Sequence, residues 1–215
     1  RASRLTQLAD RVRALPGVAA AGLGSMVPFG NSISTTNYTA PGQEDAKDKP
    51  IGYDQKVDGG YFAALGVPIL RGRGFDADEV RSKAPVAVVD EMFVKRHFGD
   101  TDPLGKHFKI GVGPDQPDRE VTIVGVVPTV KLRALDEVAD RPSIYQPMPA
   151  PPYAAMAVRT TIDPSALIEP LKAVGAEIAP KESVGPILTL DARIADTLRD
   201  RERLNGLLGL LGLTA

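Results

Sequence analysis

Proline and glycine punctuate this chain so often that its secondary-structure elements must be short. Glycine occurs 21 times and proline 19 times in 215 residues. Together they exceed the ~12% of an average protein but stay below the ~25–30% at which composition alone indicates disorder. The chain therefore reads as a folded, turn-rich protein. Its length suits one large domain or two small ones on a prior of ~100–200 residues per domain. At that size roughly 70% of the unfolded surface is hidden, so a core forms without covalent staples.

The pattern between these breaks alternates helix and strand. Leu5, Leu8, Val12 and Leu15 make one stripe of an amphipathic helix, which Pro16-Gly17 ends. Val18 to Met26 reads as a small-residue strand, and Pro28 to Pro50 as a long loop or exposed hairpin. Ile51 to Val57 alternates as a strand. Tyr61 to Leu65 is a short helix closed by Gly66, and Val67 to Leu70 is a second extended piece. Pro85 to Val89 is an apolar strand; Asp90 then caps a helix that runs through Phe98 and stops at Gly99. His107 to Ile110, Val121 to Val127 and Ile144-Tyr145 are further strands, before a proline-rich break over Pro147 to Pro152.

Beyond that break the sequence predicts a β-α-β unit. Ala154 to Arg159 is its first strand and Val184 to Leu190 its return strand. Between them Asp163-Pro164 opens a helix whose buried stripe is Leu167, Leu171, Val174 and Ile178, with Pro170 and Gly175 expected to weaken or kink it. A last helix carries Ile194, Leu198, Leu204, Leu208 and Leu211. Its first half, Asp196 to Arg203, is highly charged, while Leu204 to Ala215 is uncharged and leucine-rich. Twelve such residues do not span a bilayer, which takes ~20. From that segment alone, a buried amphipathic helix and the first half of a membrane helix fit equally well. The chain opens on Arg1 without an initiator Met and shows no signal-peptide pattern of charged start and apolar middle, so both ends read as cut from a longer chain.

Few reactive side chains are available. There is no cysteine, which excludes disulfides, thiolate metal sites and thiol nucleophiles, and there are two histidines, His97 and His107. Basic and acidic residues number 26 and 27, leaving a net charge of −1 with no general attraction to nucleic acid or anionic lipid. Ser25 follows Gly24, but the glycine two positions later that a nucleophile elbow needs is missing. Gly22-Leu23-Gly24 lacks the third glycine of a dinucleotide fingerprint. His97 lies four residues after Phe93 on one helix face and reads as half-packed against the core. Asp115 to Glu120 lacks the alternation and central glycine of a calcium loop and reads as a solvated hairpin tip. Arg71-Gly72-Arg73-Gly74 reads as a strand end entering a turn rather than a nucleic-acid contact. The expectation is therefore no catalytic, cofactor-binding or metal-binding residue and no cofactor. The residues alone lead to an α+β binding or mechanical domain next to a membrane.

Several blocks, in order, resemble one family. Val57-Asp58-Gly59-Gly60-Tyr61-Phe62-Ala63-Ala64-Leu65-Gly66-Val67-Pro68-Ile69-Leu70-Arg71-Gly72-Arg73-Gly74-Phe75 is similar to a signature of MacB-type periplasmic core domains. Pro85 to Glu91, Phe98 to Lys106, Val121 to Val127 and Ile144 to Pro147 resemble the blocks that follow it. The resemblance implies the extracytoplasmic part of an ABC transporter permease of the MacB/FtsX type, held in the cell inner membrane by flanking helices and facing the periplasm. It implies an α+β fold: a porter-like β-α-β subdomain from both chain ends, residues 1–66 and 149–200, with an inserted, mostly β subdomain over 67–148. Residues 201–215 would then begin a membrane helix. Implied partners are the membrane, an ABC ATPase domain or subunit, a periplasmic partner or cargo, and a second copy in a full-length dimer. No nucleic acid is implied. The domain would relay ATP-driven motion and would carry no catalysis of its own. A stand-alone extracytoplasmic scaffold and a soluble enzyme are the alternatives.

Overall fold

A computed structural model describes residues 2–30, 32–43, 48–111, 118–133, 135, 138–148, 154–178, 185–196 and 198. It begins with helix α1, Ala2–Arg13, and strand β1, Val18–Gly24. Gly17, at φ 86°, makes the reversal between them. Then follow β2 (Thr35–Thr39), β3 (Ile51–Val57), α2 (Tyr61–Leu65), β4 (Arg71–Gly72) and α3 (Ala77–Ser82). Next come β5 (Val86–Asp90), α4 (Glu91–His97), β6 (His107–Ile110), β7 (Arg119–Val127) and β8 (Ser143–Pro147). Strand β9 (Ala155–Thr160), a 3-10 turn over Pro164–Leu167 and helix α5 (Ile168–Ile178) complete the series, and residues 190–196 are again helical. The fold is α+β on a mixed sheet.

Six strands close on themselves. Strand β2 pairs with β6, β6 with β7, β7 with β5, β5 with β8, β8 with β3, and β3 returns to β2. The β5–β7 and β3–β8 pairs are parallel and the others antiparallel. Six strands enclose a lumen narrow enough for side chains alone to fill. Successive residues of a strand face opposite sides of the sheet, so Tyr38, Ala87, Val89, Phe108, Ile110, Val121, Ile123 and Ile144 line one face and form the largest apolar cluster. Phe93 and Val94 of α4 plug it. The Phe93 ring lies 4.9 Å from that of Phe108 and 5.2 Å from that of Tyr38. Helix α4 is aimed there by its cap: the Phe93 N–H donates to Asp90 Oδ1 at 2.9 Å.

Strands β1 and β9 form an antiparallel pair outside this ring. Helices α1 and α5 cover it, packing Leu8, Val12 and Leu15 against Leu171, Val174 and Ile178 over Ala21 and Val158.

Several expectations need correction. The stretch expected to be a loop or exposed hairpin contains β2, and Tyr38 and Ala40 are almost wholly buried. Its polar Thr35-Thr36-Asn37 start hides a strand whose burial depends on long-range closure of the ring. The expected return strand over Val184 to Leu190 is absent among the described residues. Residues 185–189 join no ladder, and helix begins at Leu190. Pro186 cannot donate to a ladder, and Thr189 acts as a cap instead, its Oγ1 accepting from Ala192 N–H at 3.1 Å. Helix α3 was not expected, although Asp76 and Glu79 form a complete capping box. The expected kink at Pro170 does not break α5. The 3-10 turn precedes it, so Pro170 falls in the first α-helical turn, where a missing N–H costs little.

Candidate functional site

The side chains weighed for chemistry are occupied by structural bonds. Ser25 Oγ accepts from Lys56 N–H at 2.9 Å, and Ser25 N–H donates to Lys56 O at 2.8 Å, so this serine ties the end of β1 to β3. His97 Nε2 and Tyr38 Oη are hydrogen-bonded at 2.8 Å, and His107 Nδ1 and Thr122 Oγ1 at 3.0 Å. Arg71 lies in β4, as a strand end should. Arg73 donates to both oxygens of Glu79, at 2.6 and 2.7 Å, and so braces the α3 capping box. Asp118 pairs with Lys49; residues 115–117 of the acidic turn lie outside the described residues. Among the described residues, no three His, Asp or Glu side chains gather as metal ligands. No described helix is long and apolar enough to cross a membrane, and Leu204 to Ala215 lie outside the described residues.

What the structure does build is a junction between the chain-end layer and the strand ring. Strand β1 meets β3 through one ladder position, Gly24 opposite Val57. Beside it the Asp58 N–H donates to Leu23 O at 2.9 Å. Glycine makes the approach feasible. A Cβ on Gly22 would lie 2.3 Å from Tyr61 N, and one on Gly60 would lie 2.3 Å from Ala21 O. Helix α2 thus rests its backbone directly on β1.

Arg13, at the end of α1, fastens the joint. Its Nε donates to Ala21 O at 2.8 Å and its Nη2 to Asp58 Oδ2 at 2.6 Å. The other Asp58 oxygen accepts from Gly60 N–H at 3.0 Å. Burial pushes the Asp58 carboxyl above its ordinary range, more strongly than the hydrogen bonds and Arg13 pull it down. Arg13 thereby links α1, β1 and the β3–α2 turn. Under it, Tyr61 Oη donates to Met26 O at 2.8 Å or Gln55 Oε1 at 3.0 Å, a buried polar pin from α2 into the ring wall. Above it, Arg11 grips Glu177 of α5 with two hydrogen bonds of 2.9 and 3.1 Å, joining the two chain-end helices.

The ring is braced at its own end. Asp54, Lys56, Arg119 and Gln146 share the facing of the apolar lumen residues by strand alternation. Lys56 Nζ donates to Asp54 Oδ1 at 2.7 Å, Gln146 Nε2 to the same oxygen at 2.6 Å, and Arg119 Nη2 to Gln146 Oε1 at 2.5 Å. Burial lowers the Lys56 pKa, and Asp54 keeps the ammonium paired. Sequence reasoning missed Arg13, Asp58 and this network. The available signals were Arg13 lying off the apolar stripe of α1, and Asp58-Gly59-Gly60 directly after a strand.

These features resemble those of known proteins. Over 81% of this chain, the fold matches 74% of the periplasmic region of MacB from Actinobacillus actinomycetemcomitans, with a TM-score of 0.58 at 16% identity. It also matches the extracellular domain of the noncanonic ABC-type transporter YknZ from Gram-positive bacteria, over 81% of this chain and 79% of that one, with a TM-score of 0.51 at 15% identity. The fold class is thus that of extracytoplasmic domains of ABC-type transporters. Residues 2–184 match the MacB-like periplasmic core domain, and the chain belongs to that family. It is 34% identical over 95 residues to a macrolide export ATP-binding/permease protein, MacB 2, of Aeromonas hydrophila, covering 44% of this chain and 14% of that protein. It is 34% identical over 67 residues to MacB of Neisseria gonorrhoeae, covering 31% of this chain and 10% of that protein. The aligned regions therefore take in only a small fraction of these relatives' length.

Proposed function

We propose that this domain is a stiff extracytoplasmic relay in an ABC permease of the inner membrane. ATP-driven motion enters through the chain ends and is passed to the ring, which meets cargo or a periplasmic partner. The observation that carries this reading is the junction: Arg11–Glu177 unites the chain-end helices, and Arg13–Asp58 with the glycine contacts binds them to the ring. A rigid connection transmits displacement; a loose one dissipates it. The domain contributes no bond-making chemistry in this scheme, and ATP hydrolysis belongs to a cytoplasmic domain or partner.

The test is Arg13→Met in the full-length permease, reconstituted with its ATPase and checked for folding. ATP hydrolysis is expected to persist while ATP-dependent cargo movement falls at least severalfold. Unchanged movement in a well-folded variant would overturn the relay.

A further inference from the structure

The ring has a second feature, at the α4 end and away from the junction. A hollow of about 500 Å³ opens there, lined by Pro41, His97, Phe98, Thr101, Lys106 and His107. Its volume lies within the ~300–1,000 Å³ of small-ligand sites. Both histidines of the chain line it, together with a lysine and a threonine, and among the described residues no carboxylate does. The nearest acidic residues in sequence, Asp100 and Asp102, are not part of the lining, and Asp102 Oδ1 accepts from the Leu104 N–H at 3.2 Å.

Lining groups are left for a ligand. Tyr38 engages one nitrogen of His97 and Thr122 one of His107. The second ring nitrogen of each, and the Lys106 ammonium, have no hydrogen-bond partner among the described residues. His97 is neutral at physiological pH, because burial and the nearby Arg96 hold its pKa down to about 4. Lys106 is then a charge at the rim that no described residue pairs. Phe98 and Pro41 add apolar surface beside these polar groups. The hollow is much larger than an inorganic oxyanion needs, and no arginine fork of the kind that favours phosphate lines it.

We propose that this hollow binds a carboxylate carried on an apolar body, with Lys106 and the free imidazole nitrogens receiving the carboxylate and Phe98 and Pro41 the body. Two sources share that chemistry: an acidic residue beside an aromatic one in a polypeptide, and a free organic acid.

The two histidines make the experiment clean, since both imidazoles of these 215 residues line the hollow. The ring-proton resonances of His97 and His107 would be followed by NMR in the purified full chain. The titrants are N-acetyl-Phe-Glu-amide, its Phe-Gln counterpart, 3-phenylpropanoate and inorganic phosphate. Saturable shifts of both histidines are expected with Phe-Glu or with 3-phenylpropanoate, the tighter of the two identifying the source. The Phe-Gln peptide and phosphate are expected to leave them unmoved. Lys106→Gln, a surface change, is expected to weaken binding about fivefold, as for one exposed charge pair. Equal shifts with Phe-Gln or phosphate, unmoved signals with both carboxylates, or undiminished binding by Lys106→Gln would each overturn the site.

Discussion

Arg13 is the residue on which the junction turns, because it satisfies a carboxylate that has almost no access to water. Asp58 is 6% exposed, and removing its guanidinium partner leaves a desolvated charge. Arg13 itself is partly solvated, so the loss is smaller than for a fully buried pair. Arg13→Met is expected to cost about 2 kcal/mol. Arg13→Met with Asp58→Asn is expected to recover much of it, and urea midpoints of the two variants check this. Close packing at Gly60 admits no side chain, so Gly60→Ala is expected to destabilise by about 3 kcal/mol through overpacking. Gly185→Ala, which meets nothing within 4 Å, should fall within about 0.5 kcal/mol of the parent protein.

Two buried titrating groups pull in opposite directions. Burial raises the Asp90 carboxyl from 3.8 to about 6 in the folded protein, against the pull of Phe93 N–H, Ser143, Thr129 and Arg96. Its contribution to stability is therefore full below the unfolded value and is lost as pH rises toward 6. His97 is lowered from 6.5 to about 4, so its contribution is full above 6.5 and is lost as pH falls toward 4. The two offset each other between these limits. Asp90→Asn keeps a cap for Phe93 N–H and removes one of them. Its stability is expected to climb with pH between 4 and 6.5 more steeply than the parent's, exceeding it by about 2 kcal/mol at pH 7 and converging near pH 4. Superimposable profiles of urea midpoint against pH would contradict this.

At the scale of elements, local chemistry explains which segments were legible. Helices α1, α2 and α4 and strands β3, β6 and β7 follow from apolar spacing, a cap at Asp90 and glycine stops at Gly17, Gly66 and Gly99. These are signals carried within a few residues. Strand β2 was not legible because nothing local marks Tyr38 as core; its neighbours arrive from β3 and β6, far along the chain. The missing return strand is the opposite error, an apolar alternation overridden by Pro186 and by the Thr189 cap. Helix α5 shows how a proline is absorbed. Pro170→Ala is expected to change stability by less than about 1 kcal/mol, since no helical hydrogen bond is gained in the first turn. Val174→Ala, on the buried face at 6% exposure, is expected to cost about 2 kcal/mol. Thermal unfolding of the pair distinguishes the two positions.

At the scale of the molecule, the family was legible in the sequence and the junction was not. The blocks from Val57 to Pro147 lie in the ring, in α2, β4 and α4, and in the turns between them. They were recognisable as a set because their order along the chain is kept, and three of them carry local signals: the stop at Gly66, the cap at Asp90 and the turn around Gly99. Arg13 and Asp58 are 45 residues apart and meet only once the sheet has formed. Coupling in this domain is a property of that meeting. The chain-end layer shares a single ladder position with the ring, flanked by the Ser25–Lys56 and Asp58–Leu23 hydrogen bonds, so the ion pair and the glycine contacts weigh heavily in whether the two parts move together.

That rigidity is directly measurable. Lys109 on the ring and Lys172 on α5 are exposed, and these 215 residues contain no cysteine, so only cysteines elsewhere in the permease would need replacing before labelling. Spin labels at these two positions in the full-length permease would give their distance by pulsed EPR, without nucleotide and trapped with ATP. One narrow distance, identical in both states and broadened by Arg13→Met, is the expected result. A distance that shifts with nucleotide in the otherwise unaltered domain would contradict a rigid relay.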